Sequence, residues 1–510
     1  MRNSTKLLLT LTLGVVAAVP ASSQGPAADI SAVDRQAALA KASERQDSSA
    51  SQAMRPDTEV PCTSKYLRDP MPETWQMTPE NTQNLPTDDE WWHTFYDPML
   101  DRLIAKTVAN NFDVAAAIKR IDMARNMVKE AQSGYFPTIS LAGGWQQAGT
   151  SGALQSPVGK SSTSSSFSLG ANMNWEIDVF GRVRANANAQ KAGLNIARAD
   201  YNAVMVSICA KVATAYMELR TAQKQLSVNR AHISSQEKVV KITESRFEAE
   251  LADMLDVTQA RTVLYNTQST LPGLQAKIRT LINTLSILVG EYPGALANDL
   301  AVETPLPGYN IAVDTGVPAD ILRRRPDIQQ AEMTLAQYAA QVGIAKKDFL
   351  PTLSLTGSIG TEAHDAGNLF GAHSLSYSIA PQLSWTLFDG LARNYKVAEA
   401  KLQMEAAIDS YNLTVMNAVG EVDNAIQEYD ATLKSIELQK KVVEQSEKAL
   451  RLAINLYKTG LTAFSNVVDG QMSWLTSQNQ LVELEGSALT SLITIYQSLG
   501  GGWQSQAFQR

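Results

Sequence analysis

Four histidines and two cysteines are the residues best equipped for chemistry in this 510-residue chain, and their spacing argues against it. His93, His232, His364 and His373 are scattered, and none stands at the short Cys/His spacing of a zinc site. His364 and His373 share a polar stretch with Asp365 that reads as a surface loop rather than a metal centre. No phosphate loop, nucleophile elbow or pair of catalytic acids appears. The chain therefore reads as no enzyme, with neither metal nor cofactor. Cys209 reads as a small buried apolar residue, and two cysteines make no disulfide framework.

With 44% hydrophobic and 19% charged residues, the composition is that of an ordered protein. A net charge of -7 without any long Lys/Arg cluster speaks against nucleic acid as a partner. Arg2 and Lys6 precede an apolar run at residues 7–18, and small residues follow, which is the pattern of a Sec-type signal peptide at 1–23. Residues 24–65 read as a flexible polar leader. No later run reaches the roughly 18 apolar residues of a membrane helix. If the exported chain enters a membrane, strands have to carry it there.

The elements that would do so occur twice. "SGYFPTISLAGGW" (133–145) returns as "KDFLPTLSLTGSIG" (347–360), and "MNWEIDVFGRVRA" returns as "LSWTLFDGLARN" at an offset of about 210 residues. Each half reads as helix, strand, Ser/Gly-rich loop, strand, very long helix, turn and second long helix. The expected strands cover about 137–146, 166–178, 351–361 and 376–388. Phe167, Leu169, Ala171, Met173, Trp175 and Ile177 alternate with Ser168, Gly170, Asn172, Asn174, Glu176 and Asp178, giving one apolar and one polar face. A half-buried strand of a soluble sandwich alternates in the same way. Aromatic ends at Trp145, Trp175, Tyr377 and Trp385, with long polar loops on one side, favour an outer-membrane barrel. Four strands cannot close one, so two or three copies must combine.

The long helices carry a 4,3 apolar repeat. It runs through Val415, Val419, Val422, Ile426, Tyr429, Leu433 and Ile436 to Tyr457, and again through Met205, Cys209, Val212, Tyr216, Leu219 and Leu226 to Phe247. In the earlier copy the same spacing also places Arg230 and Glu237 on the seam. Such heptads mean coiled-coil packing. A helix of roughly 65 residues at about 1.5 Å each is on the order of 100 Å long, which calls for a rod or a tube. The domain reading is a first repeat at 66–290, a linker at 291–317, a second repeat at 318–500 and a tail at 501–510.

"VPADILRRRPDIQQAEMTLAQYAAQVGIAKKDFLPTLSLTG" (317–357), "WEIDVFGRVRA", "LFDGLARN" and "YKTGLTAFSNVVDGQ" closely resemble the outer membrane factor family, the TolC-like exit ducts of tripartite efflux pumps, in its nodulation and multidrug branch. The resemblance implies an α+β membrane protein. Its homotrimer would form a 12-stranded β-barrel in the outer membrane, four strands per chain, continuing into a long periplasmic α-helical barrel. It implies passive efflux of drugs or other small molecules, with a periplasmic adaptor and an inner-membrane pump of resistance-nodulation-division type as partners. A type I protein-secretion duct is the alternative within this class; a barrel-anchored adhesive rod without a lumen is the alternative outside it.

Residue roles follow from matching positions. Asp469 falls where relatives ring the closed periplasmic mouth with carboxylates; read physically, it is a solvated Asp near a helix start. Asn466 stands where a second Asp is common, Ser465 where some relatives have Leu, and Tyr457 where a Tyr latches helix pairs or packs in the core. Gly460 and Leu461, with Leu251, Asp256 and Val257 in the other half, mark the helical tips where an adaptor would dock. Asp256 and Val257 also suit a simple helix start. Arg324 to Ile328 reads as structural, a helix start with early Pro and Asp. Cys62 occupies the place of the family's lipidated Cys, but Glu59-Val60-Pro61 is no lipobox, so Cys62 is expected to stay unmodified.

Overall fold

The computed structural model describes residues 66–72, 75, 90–154, 159, 161–309 and 324–503. The expected signal peptide, the whole of the leader with Cys62 and most of the tail lie outside the described residues. In chain order the elements are α1 (Pro98–Asn110), α2 (Phe112–Ser133), β1 (Thr138–Thr150), β2 (Ser162–Ile177), α3 (Arg182–Glu248) and α4 (Met254–Val289). Then come α5 (Pro326–Lys347), β3 (Thr352–Ala363), β4 (Leu375–Ser384), α6 (Ala392–Lys458) and α7 (Ser465–Ser498). The duplication is visible in the lengths: α3 and α6 each have 67 residues.

The four strands form one antiparallel sheet in the order β1-β2-β3-β4. Its register aligns the alternation across all strands. Leu141, Ala171, Ile359 and Tyr377 stand in one row across the sheet; Asn172, Ser358 and Ser378 stand in a row beside it on the opposite face. Because side chains alternate with period two, this pairing makes one continuous apolar face and one continuous polar face. Ile139, Leu141, Trp145, Ile359, Tyr377, Ile379 and Leu383 are exposed on the apolar face. Both outer edges, on β1 and β4, have no strand partner within the described residues.

The strand bounds differ from expectation chiefly in β1, β2 and β4. β1 and β2 extend further into their loop, to Thr150 and from Ser162, because the two strands keep pairing to the Thr150–Ser162 rung. β4 stops at Ser384, since its partner β3 begins at Thr352 opposite that residue. Residues 385–388 thus lie outside the sheet, and the Trp385 indole donates to the Phe349 carbonyl at 3.0 Å. Its twin, Trp175, donates to the Tyr135 carbonyl at 3.0 Å, so the same bond seals the helix-to-strand joint in both repeats. Helix ends Ser133 and Lys347 lie just before Pro137 and Pro351, which disfavour helix in the residue ahead of them.

Each strand-to-helix joint passes through left-handed backbone, at Gly181 (φ 76°) and at Gly390 (φ 67°). Asp178 then caps α3 by accepting from the Val183 and Arg184 amides, both at 2.9 Å. The Arg324 to Ile328 block is a structural tie. Arg325 is buried, donates to Asp327 at 2.6 Å, to Glu421 of α6 at 2.7 Å and to the Ser498 carbonyl of α7 at 2.8 Å.

Two apolar clusters join the long helices, and a third, of Val114, Met205 and Ile208, packs α2 on α3. The larger joins α1, α3, α4, α6 and α7 around Trp91, Tyr216, Leu285, Ile426 and Tyr496. The smaller lies at the far end and contains Val240, Leu264, Leu450, Tyr457, Phe464 and Val467. Cys209 is buried as expected, and burial pushes its thiol up to about 12. Between the clusters lies a polar layer that a strict heptad misplaces. The heptad puts Arg230 and Glu237 inward, whereas Asn229, His232 and Gln236 are the buried residues. Partners on the neighbouring helices set these positions: Asn229 bonds Asn479 and His232 bonds Gln478 of α7, and Gln236 bonds Thr267 of α4. His232 shares a hydrogen bond of 2.6 Å with Gln478, and burial holds its pKa below the ordinary histidine range.

Candidate functional site: the paired helical tips

The two long helices end in the same turn. At the end of α6 the Leu461 amide donates to the Leu456 carbonyl and the Gly460 amide to Tyr457; at the end of α3 Leu251 donates to Arg246 and Glu250 to Phe247. Both are Schellman turns, which need a left-handed residue after the helix. Gly460 supplies it freely at φ 76°, but the first copy places Glu250 there at φ 61°. A side chain in that region costs about 1 kcal/mol. Glu250→Gly is therefore expected to raise the protein's stability by up to about 1 kcal/mol, read as a higher melting temperature in detergent. A lower melting temperature would mean that the carboxylate is held by something stronger than the strain.

The turns meet. The Tyr457 hydroxyl donates to Asp256 Oδ2 at 2.7 Å, linking the end of α6 to the start of α4. Phe464 packs edge-on against the Tyr457 ring at 5.0 Å. Burial, with the Asp256 carboxylate beside it, pushes the Tyr457 phenol up to about 12, so it remains a donor through the physiological range. Arg246 of α3 completes the cluster. Its guanidinium lies 4.8 Å from the Tyr457 ring centre and donates to the Lys458 carbonyl at 2.6 Å and the Leu251 carbonyl at 3.0 Å. Beside it opens a recess of about 420 Å³ lined by Lys241, Ile242, Ser245, Arg246, Ala249, Leu251 and Lys458.

The tip residues expected from sequence divide into two groups. Tyr457, Asp256 and Val257 turn inward, with Val257 buried and Asp256 engaged by Tyr457. Leu251, Leu461, Gly460, Ser465, Asn466 and Asp469 are exposed. Asn466 bonds Thr462 Oγ1 at 2.6 Å. Val257 thus presents no surface to a partner, because its side chain closes the helix pair. The sequence does not single out Arg246; its one signal is a basic residue in the last turn of a helix, which is commonplace.

Among the described residues no His/Cys/Asp/Glu group could hold a metal ion, and no helix is long and apolar enough to cross a membrane. His364 of the second loop bonds the Ser165 carbonyl at 2.9 Å, between the two hairpins.

A model of the outer membrane efflux protein family matches residues 103–291 and 317–501, one match for each repeat. Nodulation protein T of Rhizobium leguminosarum bv. trifolii is 28% identical over 424 residues, spanning 82% of this chain and 88% of that protein. The solvent efflux pump outer membrane protein SrpC of Pseudomonas putida is 30% identical over 413 residues, spanning 80% and 86%. Among solved structures, the outer-membrane channel OprN superposes with a TM-score of 0.79 at 29% identity, covering 86% of this chain and 98% of that one. With a duplicated helix-and-hairpin plan, a sheet apolar on one face and helices reaching far beyond it, this chain belongs to the outer membrane efflux protein family and is an outer-membrane efflux channel with a periplasmic helical extension.

Proposed function

We propose that three copies form a passive duct, a 12-stranded β-barrel in the outer membrane continued by a barrel of helices across the periplasm. The observation that carries this reading is the four-stranded sheet with two open edges and one mainly apolar face. Unpaired backbone groups cost several kcal/mol each in hydrocarbon, so β1 and β4 must find partners in neighbouring copies. The polar face then lines a lumen, which speaks against a solid rod. A second unpartnered surface runs down α6, where Leu402, Leu413, Met416, Leu438, Val442, Leu452 and Leu456 are exposed along one side. Their spacing follows the helical period, and a neighbouring protomer would cover them.

In this assembly the duct works with a periplasmic adaptor, docking near Leu251, Gly460 and Leu461, and with an inner-membrane pump of resistance-nodulation-division type that supplies the energy. Drugs or other small molecules are the cargo. Residues 457–469 form the periplasmic gate. Tyr457 and Asp256 latch the tips, and three copies of Asp469 gather cations at the closed mouth.

The test is light scattering of the detergent-extracted protein followed by planar-bilayer recording. A trimer with discrete, mostly closed conductance is expected; a monodisperse monomer, or a trimer without conductance, would sink the duct. Asp469→Ala is expected to increase conductance at low salt, with the difference shrinking near 1 M salt, where the screening length is about 3 Å. Equal conductance at both salt levels removes Asp469 from the gate.

A further inference from the structure

We infer that Arg246 is the positioning residue that holds the gate latch shut, by tying the turn of the first repeat to the turn of the second. The inference rests on reading residues 457–469 as the gate. Tyr457 and Asp256 make the latch bond, but neither fixes the end of α6 relative to the end of α3. Arg246 does so with one planar group: it bonds the Leu251 carbonyl within its own turn and the Lys458 carbonyl of the other, while its face covers the Tyr457 ring. Its Nε is buried without a hydrogen-bond partner, so the side chain forgoes one bond to reach both carbonyls.

The duplicated helix offers no counterpart. In register with Arg246, Phe247 and Asp256 the second repeat has Leu456, Tyr457 and Asn466. Leu456 cannot donate, and the pair corresponding to Tyr457 and Asp256 is Phe247 and Asn466, in which the ring carries no hydroxyl. All polar parts of the latch are therefore gathered at one junction, where the Tyr457–Asp256 bond ties α6 to α4 and Arg246 ties α6 to α3. The full α3 length sets its reach, and a lysine cannot replace it, since a point charge does not span two carbonyls while lying flat on a ring.

The experiment compares Arg246→Ala, Arg246→Lys and Tyr457→Phe in planar bilayers, with thermal melting of the oligomer measured in parallel. Losing a charge-assisted hydrogen bond should raise the open fraction roughly 10-fold. The expected result is that all three variants leak, with Arg246→Lys behaving like Arg246→Ala. Closure restored by lysine would overturn the inference, and so would a lowered melting temperature with unchanged conductance, the mark of a merely structural strut. If Tyr457→Phe leaks while both Arg246 variants stay closed, Arg246 is excluded and the gate reading stands. If none leaks, both fall.

Discussion

Gly360→Val is expected to abolish the folded, membrane-inserted form. Gly360 of β3 faces Gly170 of β2, and a Cβ at Gly360 would lie 2.7 Å from both the Gly170 Cα and the Leu169 carbonyl oxygen. Both obstacles are backbone, so no rotamer change relieves the clash and the ladder itself has to move. The pair lies on the polar face, where two facing glycines mark a close approach of the backbones. Overpacking costs about 3 kcal/mol at the upper end of the usual range, and every copy in an assembly incurs it. The amount of protein recovered in the outer-membrane fraction measures the effect. Gly367→Val is the control, because nothing lies within 4 Å of its Cβ position. Equal recovery of the two variants would show that the strands can separate at no cost.

Arg220→Ala is expected to destabilise the helical region by about 3 to 6 kcal/mol, because two charge-assisted hydrogen bonds of about 1.5 to 3 kcal/mol each are lost. Arg220 is 2% exposed and donates to Gln223 at 2.8 Å and to the Val302 carbonyl at 2.7 Å. Its guanidinium lies 4.9 Å from the Tyr216 ring centre, and the Tyr216 hydroxyl donates to Asp97 at 2.6 Å. Asp97 in turn caps α1 through the Met99 and Leu100 amides. Removing Arg220 strands two acceptors and opens a cavity beneath the segment that follows α4. Burial, followed by the bond to Asp97, pushes Tyr216 up to about 12, so the rest of the network keeps its protonation while it loses its anchor. Arg220→Met fills the cavity without the bonds and should cost less. Denaturant midpoints rank the three proteins, and a midpoint for Arg220→Ala equal to wild type would show that water replaces the guanidinium without loss.

Much of this architecture is legible in the sequence. The duplication, the strand alternation and the 4,3 repeat are local periodicities, and each is enforced by a boundary with water or lipid that acts on every residue alike. The alternation in β2 fixes which residues share a face whatever the neighbouring strand does. Length has the same character: no Pro or Gly interrupts α3 from Leu194 to its end, so a helix far longer than a globular core requires is the natural outcome. Periodicity misplaces residues where a partner decides. His232, and not Arg230, faces inward in α3, where Gln478 of α7 meets it, and β4 ends where β3 has no residue left to pair.

The tips obey the opposite logic. Tyr457 and Asp256 are separated by 201 positions, and Arg246 reaches Lys458 across 212. Nothing in either neighbourhood marks these residues as partners, because the same Tyr could pack in a core and the same Arg could cap its own helix. They meet because two long antiparallel helix pairs of nearly equal length bring their ends to one level. Periodic patterning, read along one strand or helix, specifies the sheet faces and the rods; the latch is a sum of rises along four helices, and only their packing brings that sum to within a hydrogen bond's length.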